Sequence, residues 1–396
     1  MAVVTIGLAV SLSDRVSAQS ATATPTSQLS PYGLVTVDPT QVSGAASAEQ
    51  AAPAAVNPQP SAKRGEFVFA PLPVVNPTLD NGLAGVVGYL YRVDRTDLTT
   101  APSATALAGF KTSNGSWAGA VLQSLHLAHD RFRVLAIGGY GDINYPFYGI
   151  GHAAGDAGVS LELNQVGPAG LIEGLVRMHP RWYVGARYQI LRMSVSTDAI
   201  PLPNGPTLPS LDGRLRTAAL GPRVEFDSRD STFYPTSGWQ LQGIGSFYGK
   251  TIGGQRDYQV YQVWTNHYQA VGTRHVFAWH VGACGAAGSV PFYDLCLLGK
   301  SQDLRGYTVG QYRDRAMVAG QGEWRSNIWW RFGAVAFVGA GEVADSFGSL
   351  TWNNVLPGGG AGVRFVLAER NHVNLRVDYA WGQSSRALYV GVLEAF

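Results

Sequence analysis

Hydrophobic and polar residues alternate along most of the chain after residue 67, with the period of two that β-strands show. In residues 181–192, apolar and aromatic side chains from Trp182 to Ile190 alternate with polar residues or glycine. Three other segments repeat this scheme: residues 158–164, 214–227 and 372–381. Gly, Pro, Asn and Asp interrupt these runs, as expected of turns. The pattern predicts an all-β body.

We place the predicted strands by their alternation and by the turn residues between them. They begin near Gly82, Ser103, Ser116, Arg131, Ala157, Pro168, Arg181, Gly213, Thr236, Asp257, Arg274, Ala316, Trp330, Gly358, His372 and Ser385. The prediction is therefore about sixteen strands, an even number that allows the first and last strands to close a cylinder.

Two architectures contain many strands with one apolar face. A soluble sandwich or propeller buries the apolar faces, whereas a membrane barrel turns them outward to lipid. The predicted strands are about 10 to 14 residues long, longer than the usual 5 to 6 of soluble sheets. Short connections alternate with long ones, and aromatic residues gather near strand ends, where their rings suit a lipid interface. These features favour a transmembrane antiparallel β-barrel.

The composition agrees with a poorly solvated surface. Asp, Glu, Lys and Arg make up 14% of the residues, against roughly 25% in globular proteins. The formal net charge is +2, with both signs scattered along the chain, so nucleic acid is not expected as a partner. The longest apolar run, residues 2–10, is too short for a membrane-spanning helix.

Composition also divides the chain into three segments. Residues 1–18 are predicted to be a signal peptide because an apolar run precedes a small-x-small cleavage pattern; the alternative is a disordered apolar tail. Residues 19–64 are rich in Ala, Ser, Thr, Pro and Gln, which predicts a disordered linker. Residues 67–396 are predicted to form one barrel domain.

Signals for catalysis or cofactor binding are weak. The sequence contains no GxSxG, P-loop or HExxH motif. His126 and His129 are three residues apart on a predicted strand, so their side chains face opposite sides and do not suit a shared metal. We therefore predict no enzyme activity, no cofactor and no metal site.

Six short motifs occur in a fixed order along the predicted barrel. They are DSRDSTFYPTSG at residues 227–238, LRGY at 304–307, GEWR at 322–325, FVGAGEVADS at 337–346, NLRVDYAWG at 374–382 and LEAF at 393–396. On these motifs the sequence resembles the bacterial surface antigen family, the barrel domain of outer-membrane protein assembly and translocation factors. The resemblance covers essentially all of residues 67–396.

The resemblance implies that the long loop carrying Leu304, Arg305, Gly306 and Tyr307 folds into the barrel lumen. There Arg305 would pair with acidic residues of the inner wall, since a guanidinium can bind a carboxylate through two parallel hydrogen bonds. The candidate partners are Glu323, Asp378, Glu342, Glu225 and Asp227. The family usually has an Asp where Gly339 stands, so Glu342 or Glu323 is expected to substitute. The alternative is that Arg305 is a solvated loop residue.

Two further features concern local structure. A periplasmic turn between the eighth and ninth predicted strands is expected to set register and pack the rim, and its residues are Asp227, Arg229, Asp230, Pro235 and Gly238. Cys284 ends the eleventh predicted strand, and Cys296 lies in the loop that follows. In an oxidising compartment a disulfide would anchor the base of this loop; the alternative is two unpaired cysteines.

The resemblance implies a location in the bacterial outer membrane and leaves two functions open. In the first, the barrel helps to insert or translocate client polypeptides through a weakly paired seam between its first strand, residues 82–93, and its last, residues 387–396. The family's periplasmic polypeptide-binding (POTRA) domains are not expected in this chain, so a separate protein would supply them. In the second, the barrel is a structural surface antigen or anchor, or a narrow channel plugged by its own loop.

The predicted last strand supplies one side of this seam. Leu388, Val390, Val392, Glu394 and Phe396 alternate on one of its faces. Gly391 would weaken pairing there, because glycine has no side chain to pack and loses more conformational freedom on ordering.

Overall fold

The computed structural model describes residues 3–5, 26–29, 35–37, 66–76, 78–94, 100, 102–197, 200–201, 207–208, 211–231, 233–368 and 372–396. Most of the predicted signal peptide and linker lies outside the described residues. Three short strands in that part of the chain, Val3–Thr5, Thr26–Leu29 and Val35–Val37, pair in order as a small antiparallel sheet.

Within the described residues, sixteen antiparallel strands form a closed barrel, so the predicted fold class and strand number are confirmed. They are β1 Glu66–Asn76, β2 Asp80–Tyr91, β3 Ser103–Thr112, β4 Trp117–Leu127, β5 Phe132–Phe147, β6 Leu161–His179, β7 Trp182–Thr197, β8 Leu211–Asp227, β9 Gly238–Tyr248, β10 Tyr258–Val271, β11 His275–Gly288, β12 Ala316–Trp329, β13 Phe332–Ala344, β14 Leu356–Ala368, β15 Val373–Trp381 and β16 Arg386–Val392. Each strand pairs with its neighbours along the chain, and β16 pairs with β1.

The connections carry short elements of their own. They are the helix α1 His152–Ala157, the 3₁₀ turns Lys250–Ile252, Phe292–Asp294, Phe347–Ser349 and Trp352–Asn354, the strand pair Ile200–Pro201 and Thr207–Leu208, and the strand pair Cys296–Leu297 and Arg313–Asp314. Among the residues that the structure describes, no helix has both the length and the apolar character needed to cross a membrane.

Two errors in strand placement cancel in the predicted count. The predicted strands omit β1 and begin near Gly82, which belongs to β2. Two predicted strands, beginning near Ala157 and Pro168, are in fact one strand, Leu161–His179. The predicted seam is corrected accordingly: the strand beside β16 is β1, not residues 82–93.

Proline explains both errors. In β1, Pro71 and Pro73 predict a turn or loop, although the strand pairs with β2 over its whole length. Pro168 lies in β6, where the ladder with β7 is interrupted between Val166 and Ala169 while pairing with β5 continues through the proline. Proline lacks the N–H donor and is tolerated at edges and irregularities of a sheet.

The outer face of the barrel is apolar. In β2 the outward side chains Leu83 and Val87 are 61% and 46% exposed, whereas the intervening Ala84 and Val86 are buried. The same contrast recurs around the cylinder, for example at Leu107, Val121, Val263, Val338 and Val363. A continuous exposed apolar band of this kind is expected of strands that face lipid rather than of a soluble sandwich.

Aromatic contacts border this band near the strand ends. Trp182 of β7 and Phe226 of β8 have ring centroids 4.9 Å apart, close to the end of the barrel where the chain enters β1. Trp117 and Tyr140 are 5.9 Å apart near the opposite end. That opposite end holds the connections 148–160, 249–257, 289–315 and 345–355. It also holds the short turn after Thr112, so short connections are not confined to one end.

Candidate functional site: a luminal arginine and the strand seam

The connection between β11 and β12, residues 289–315, lies against the inner wall of the barrel. A disulfide joins Cys284 of β11 to Cys296, with their Cα atoms 5.7 Å apart. Next to it, Cys296–Leu297 pairs with Arg313–Asp314, so the two arms of the loop are held together at their base. The covalent bond and the short ladder leave the tip, which carries Arg305, to reach into the lumen.

Arg305 is fully buried and contacts two inward-facing carboxylates. Its Nη1 donates a hydrogen bond of 2.7 Å to Asp378 Oδ2 of β15, and its Nη2 donates to Glu323 Oε1 of β12. Its Nε donates to Gln321 Oε1 at 3.1 Å, and its guanidinium carbon lies 3.4 Å from the ring centroid of Phe337. Charge-assisted bonds and stacking on an aromatic face both favour arginine here over lysine.

The contacts of Arg305 extend into a larger cluster, which we call the loop network: Arg305, Glu323, Arg325, Arg364, Asp378 and Glu394. Arg325 donates to Glu323 at 2.9 Å, and Arg364 donates to Asp378 and, at 2.8 Å, to Glu394. Positive and negative groups therefore alternate through the cluster. Such a buried network is stable only while its charges remain paired, because an orphaned charge in a dry interior costs several kcal/mol.

The other residues of the motif dock on strands next to the seam. Gly306 N donates to the hydroxyl of Tyr389 of β16 at 3.1 Å, and the hydroxyl of Tyr307 donates to the carbonyl of Pro357 at 2.6 Å. Gly306 has a φ of 109°, and a Cβ there would lie 2.6 Å from the carbonyl carbon of Trp381. Leu304 is buried beside Gly358 of β14. Glycine is thus required at position 306 by both conformation and space.

The end of the chain differs from the predicted strand. β16 stops at Val392, and Leu393 has a φ of 68°, which redirects residues 394–396 into the lumen. Phe396 packs beside Tyr268 and Ala278, and Arg325 Nη2 donates to its carbonyl oxygen at 3.0 Å. The expectation that Glu394 and Phe396 continue one face of the last strand, together with Leu388, Val390 and Val392, was wrong.

Glu394 belongs to the loop network rather than to a continued face of the last strand. Burial would raise the pKa of its carboxyl group, but Arg364, Arg325 and the amide of Asn374 outweigh that effect and lower the pKa to about 2. It is therefore ionised at any ordinary pH. Alternation along the strand could not have located it, because the turn at Leu393 breaks the period.

The other proposed partners of Arg305 form different contacts. Glu342 accepts a hydrogen bond of 2.8 Å from the backbone N–H of Thr351. Glu225 and Asp227 pair with arginines elsewhere on the wall and in the β8–β9 turn. At Gly339 a Cβ would lie 2.6 Å from the Cβ of Gln321, the residue opposite it in β12 and itself in contact with Arg305.

A second cluster on the inner wall, which we call the wall network, links the turn before β5 to strands β5 through β8. Its members are Asp130, Arg133, Glu173, Arg187, Arg223 and Glu225. Arg133 pairs with Asp130 at 2.6 Å and with Glu225 at 3.1 Å, while Arg187 pairs with Glu173 at 2.6 Å. Arg133 also stacks 3.7 Å from the ring centroid of Tyr183. Of this group, only Glu225 is among the site residues predicted from the sequence.

The turn between β8 and β9 is built by its own polar residues. Asp227 pairs with Arg229 at 2.7 Å, and Asp230 Oδ1 accepts backbone N–H bonds from Thr236 and Ser237. Gly238, which follows Pro235 after two residues, has a φ of 106°. These contacts fix a compact turn that presents its apolar tip.

That tip reaches across the end of the barrel. Phe233 is buried against Val392 and Leu393, although β8 and β16 are separated by half of the strands of the barrel. The ring of Tyr234 stacks 3.9 Å from that of His372, in the turn before β15. The turn thus packs against the same C-terminal strands that hold Arg305.

The seam between β1 and β16 is thinly paired. Among the described residues, the two strands meet at one residue pair, Val75 and Val390, whereas β15 and β16 share seven pairs and β1 and β2 share eleven. Leu388 is exposed on the outer face. Gly391 and Val392 are buried next to Leu393, where the chain turns into the lumen. A strand with so few partners presents free backbone donors and acceptors.

The comparison with known families covers most of this barrel. The Omp85 superfamily domain matches residues 144–389. The chain belongs to the Omp85 superfamily. A comparison with curated proteins gave no match.

Two solved structures show the same fold. BamA from Haemophilus ducreyi lacking POTRA domains 1–3 aligns with a TM-score of 0.56 and 14% identity, over 83% of this chain and 70% of that one. CdiB from Acinetobacter baumannii aligns with a TM-score of 0.53 and 10% identity, over 84% of this chain and 60% of that one. These likenesses establish an Omp85-type barrel fold and agree with the family resemblance noted from the motifs.

Proposed function

We propose that this protein is a bacterial outer-membrane barrel that assists the insertion or translocation of polypeptides, and that it acts at the seam between β1 and β16. The observation that carries the proposal is that, in the described part of the chain, β1 and β16 share one residue pair, Val75 and Val390. Exposed strand edges recruit other strands because unpaired backbone groups gain hydrogen bonds on pairing. The fold shared with BamA and CdiB supports this assignment and the outer-membrane location.

The prolines of β1 also support a seam that opens. In an antiparallel ladder, alternate residues direct their N–H groups to the same neighbour. Pro71 and Pro73 are two residues apart, and the ladder between β1 and β2 continues past both of them. We infer that their missing donors fall on the edge that faces β16. In the register set by Val75 and Val390, Pro73 lies opposite Val392, and Pro71 lies beyond the end of β16. The closed seam therefore lacks the hydrogen bond that a regular residue at position 73 would donate.

Arg305 would act by holding this region in place rather than by chemistry. The motif around Arg305 contacts β12, β14, β15 and β16, so it braces the wall next to the seam. Release of the loop would free β16 from one of its contacts at Tyr389. In this proposal client polypeptides are the partners, and a separate periplasmic protein delivers them.

Locking the seam with a disulfide tests the proposal. Directly paired residues have Cα atoms about 4.5 to 5.5 Å apart, which suits a disulfide, so Val75→Cys with Val390→Cys should cross-link β1 to β16. The matched control is Val377→Cys with Val390→Cys, which joins the paired residues of β15 and β16 instead. We expect the seam lock to block assembly or export of client proteins in cells, and a reductant to restore it.

The control pair should leave client assembly unchanged while forming its own cross-link on a non-reducing gel. If the locked seam and the control support clients equally well, the seam has no role in transport and the proposal fails.

A second candidate function is a passive barrel or plugged channel, and the occupied lumen favours it. The buried loop network fills the space next to the C-terminal wall. Single-channel recording in planar bilayers separates the two candidates. A passive plugged channel predicts that depletion of the protein leaves other outer-membrane barrels unaffected, and that conductance rises when the loop is released.

A further inference from the structure

Three arginines form an exposed patch on the outer face of the barrel. We call Arg192 of β7 and Arg214 and Arg216 of β8 the arginine patch; all three are exposed. Arg192 lies directly opposite Arg216, and Ser194, the next outward residue of β7, lies directly opposite Arg214. The three guanidinium groups therefore occupy adjacent outward positions on two paired strands.

The height of the patch follows from strand geometry. Arg192 is ten residues beyond Trp182 on β7, and Arg216 is ten residues from Phe226 on β8. At about 3.3 Å per residue and a tilt of about 40°, ten residues span roughly 25 Å along the barrel axis. This is about the height of the apolar band of an outer-membrane barrel. The patch thus lies at the interface opposite the aromatic pair Trp182 and Phe226.

The residues between these two levels are apolar or aromatic. On β8 the outward residues from Phe226 upward are Val224, Pro222, Leu220 and Ala218, and the next is Arg216. On β7 they are Val184, Ala186, Tyr188 and Ile190, followed by Arg192. The change from apolar to cationic is abrupt on both strands and occurs at the same register. It marks the boundary between lipid tails and headgroups.

The β9–β10 connection packs beside the patch. Above Ala218, β8 has no strand partner on its β9 side, and the β9–β10 connection takes that place. The N–H of Gln255 donates to the carbonyl of Arg216 at 3.0 Å, and Gln255 Oε1 accepts from the N–H of Arg216 at 3.1 Å. The hydroxyl of Tyr188 donates to the carbonyl of Ile252 at 3.0 Å. The backbone that carries the patch is thereby fixed.

Among the side chains that the structure describes, no acidic group forms an ion pair with the patch. Arg192 and Arg216 are like charges directly opposite each other on paired strands, an arrangement that destabilises a sheet. The geometry points to an external anion: we propose that the arginine patch binds the phosphate groups of a glycolipid headgroup in the outer leaflet, the diphosphorylated disaccharide of lipid A. Arginine forks bind phosphate oxygens in pairs, and the hydroxyl of Ser194 adds a donor.

Binding of lipid A to the purified protein in neutral detergent tests this assignment. The measurement compares diphosphoryl lipid A, monophosphoryl lipid A, phosphatidylethanolamine and free pyrophosphate by native mass spectrometry with titration. The patch variant is R192Q/R214Q/R216Q. Its matched control is R131Q/R181Q/R274Q, which removes three exposed arginines from turns at the opposite end of the barrel.

Wild type should prefer diphosphoryl lipid A to phosphatidylethanolamine by at least tenfold and should bind the monophosphoryl form with intermediate affinity. With each basic residue near an anionic headgroup contributing on the order of a fivefold effect, the patch variant should lose roughly 100-fold in affinity. The control variant should remain within about threefold of wild type.

Two results would overturn the assignment. One is a wild-type protein that binds diphosphoryl lipid A no better than phosphatidylethanolamine, a comparison that needs no variant to fold. The other is pyrophosphate binding as tightly as lipid A, which would make the patch a site for a soluble anion. Arg216→Gln alone, with an expected loss of about fivefold, gives a milder variant if the triple substitution prevents folding.

Discussion

The loop network and the wall network contain the same types of residue but join segments that are separated differently along the chain. Each centres on an arginine that stacks on an aromatic ring, Arg305 on Phe337 and Arg133 on Tyr183. The wall network joins neighbouring strands, β5 to β8, and the turn before them. The loop network joins a loop from one end of the barrel, three strands of the wall and the final residues of the chain.

Because of this difference, the two networks are expected to have different roles in the stability of the barrel and in the position of the loop. The ion pairs of the wall network join strands within one run of four consecutive strands, and some cross intervening strands, as Arg133–Glu225 does from β5 to β8. They reinforce a part of the wall that backbone hydrogen bonds already hold together. Ion pairs to Arg305 instead fix the position of a segment that the ladder does not hold. The wall network should therefore contribute chiefly to resistance against unfolding, whereas the loop network should also determine where residues 289–315 lie.

The largest effect is expected from Arg305→Ala. The substitution removes a partner from both Glu323 and Asp378 and removes the stacking on Phe337. Breaking a buried ion pair costs about 3 to 5 kcal/mol. We expect that loss in the free energy of unfolding, measured by urea titration in lipid vesicles, together with new protease cleavage within residues 289–315.

Arg315→Ala is the matched control. Arg315 lies in the same loop but is exposed, and its ion pair with the exposed Asp345 is long, at 3.8 Å. It should change stability by less than about 0.5 kcal/mol. Equal protease sensitivity of the two variants would mean that Arg305 does not hold the loop.

A smaller effect is expected from Glu225→Gln in the wall network. Arg133 keeps Asp130 and Arg223 keeps Glu173, so neither arginine is left without a carboxylate. We expect a loss of about 1 to 3 kcal/mol, typical of a charged hydrogen bond, and no new cleavage of the loop. Loop cleavage in this variant would show that the two networks are coupled and would erase the contrast between them.

The smallest effect is expected from the pH dependence of a second contact of the loop. Burial raises the pKa of the Asp294 carboxyl well above its usual range, and the hydroxyls of Tyr248 and Tyr258 donate to it. A carboxyl group with a raised folded-state pKa binds its proton more tightly in the folded state. Stability is therefore gained as the pH falls through that pKa towards the unfolded value.

The thermal midpoint of wild type should accordingly rise relative to that of Asp294→Asn as the pH is lowered from 8 to 5. Comparing the two proteins at each pH cancels the contribution of the histidines. The loop network should not weaken over this range, since the pKa of Glu394 is about 2. If the difference in thermal midpoint between the two proteins does not change with pH, Asp294 does not titrate in this range and the prediction fails.

Much of the architecture could be predicted from alternation, because an outward apolar face and an inward mixed face repeat along each strand. That pattern also put Glu323 and Asp378 on the inward face, where the structure has them. It failed at Pro71, Pro73 and Pro168, since proline within a strand looks like a turn unless the irregular or edge position that tolerates it is known.

The composition of the loop network could be predicted only in part. Arg305 and two of its partners lie on recognisable motifs, but Glu394 enters the network through one residue, Leu393, in a left-handed conformation. A single dihedral angle of this kind leaves no trace in hydrophobic periodicity. The absence of an Asp at position 339 was visible in the sequence, whereas the contact of Gln321 with Arg305 was not.

The two prolines of β1 have a consequence for encounters between molecules. A strand of another molecule, including another copy of this chain, could pair with the carbonyl acceptors along this edge of β1. The N–H donors at Pro71 and Pro73 would be missing. Such an edge is a poor template for continued stacking of one sheet on another, which is how exposed edges lead to aggregation. If the seam opens as proposed, the edge of β1 is thus exposed with a lower tendency to pair with neighbouring molecules and aggregate.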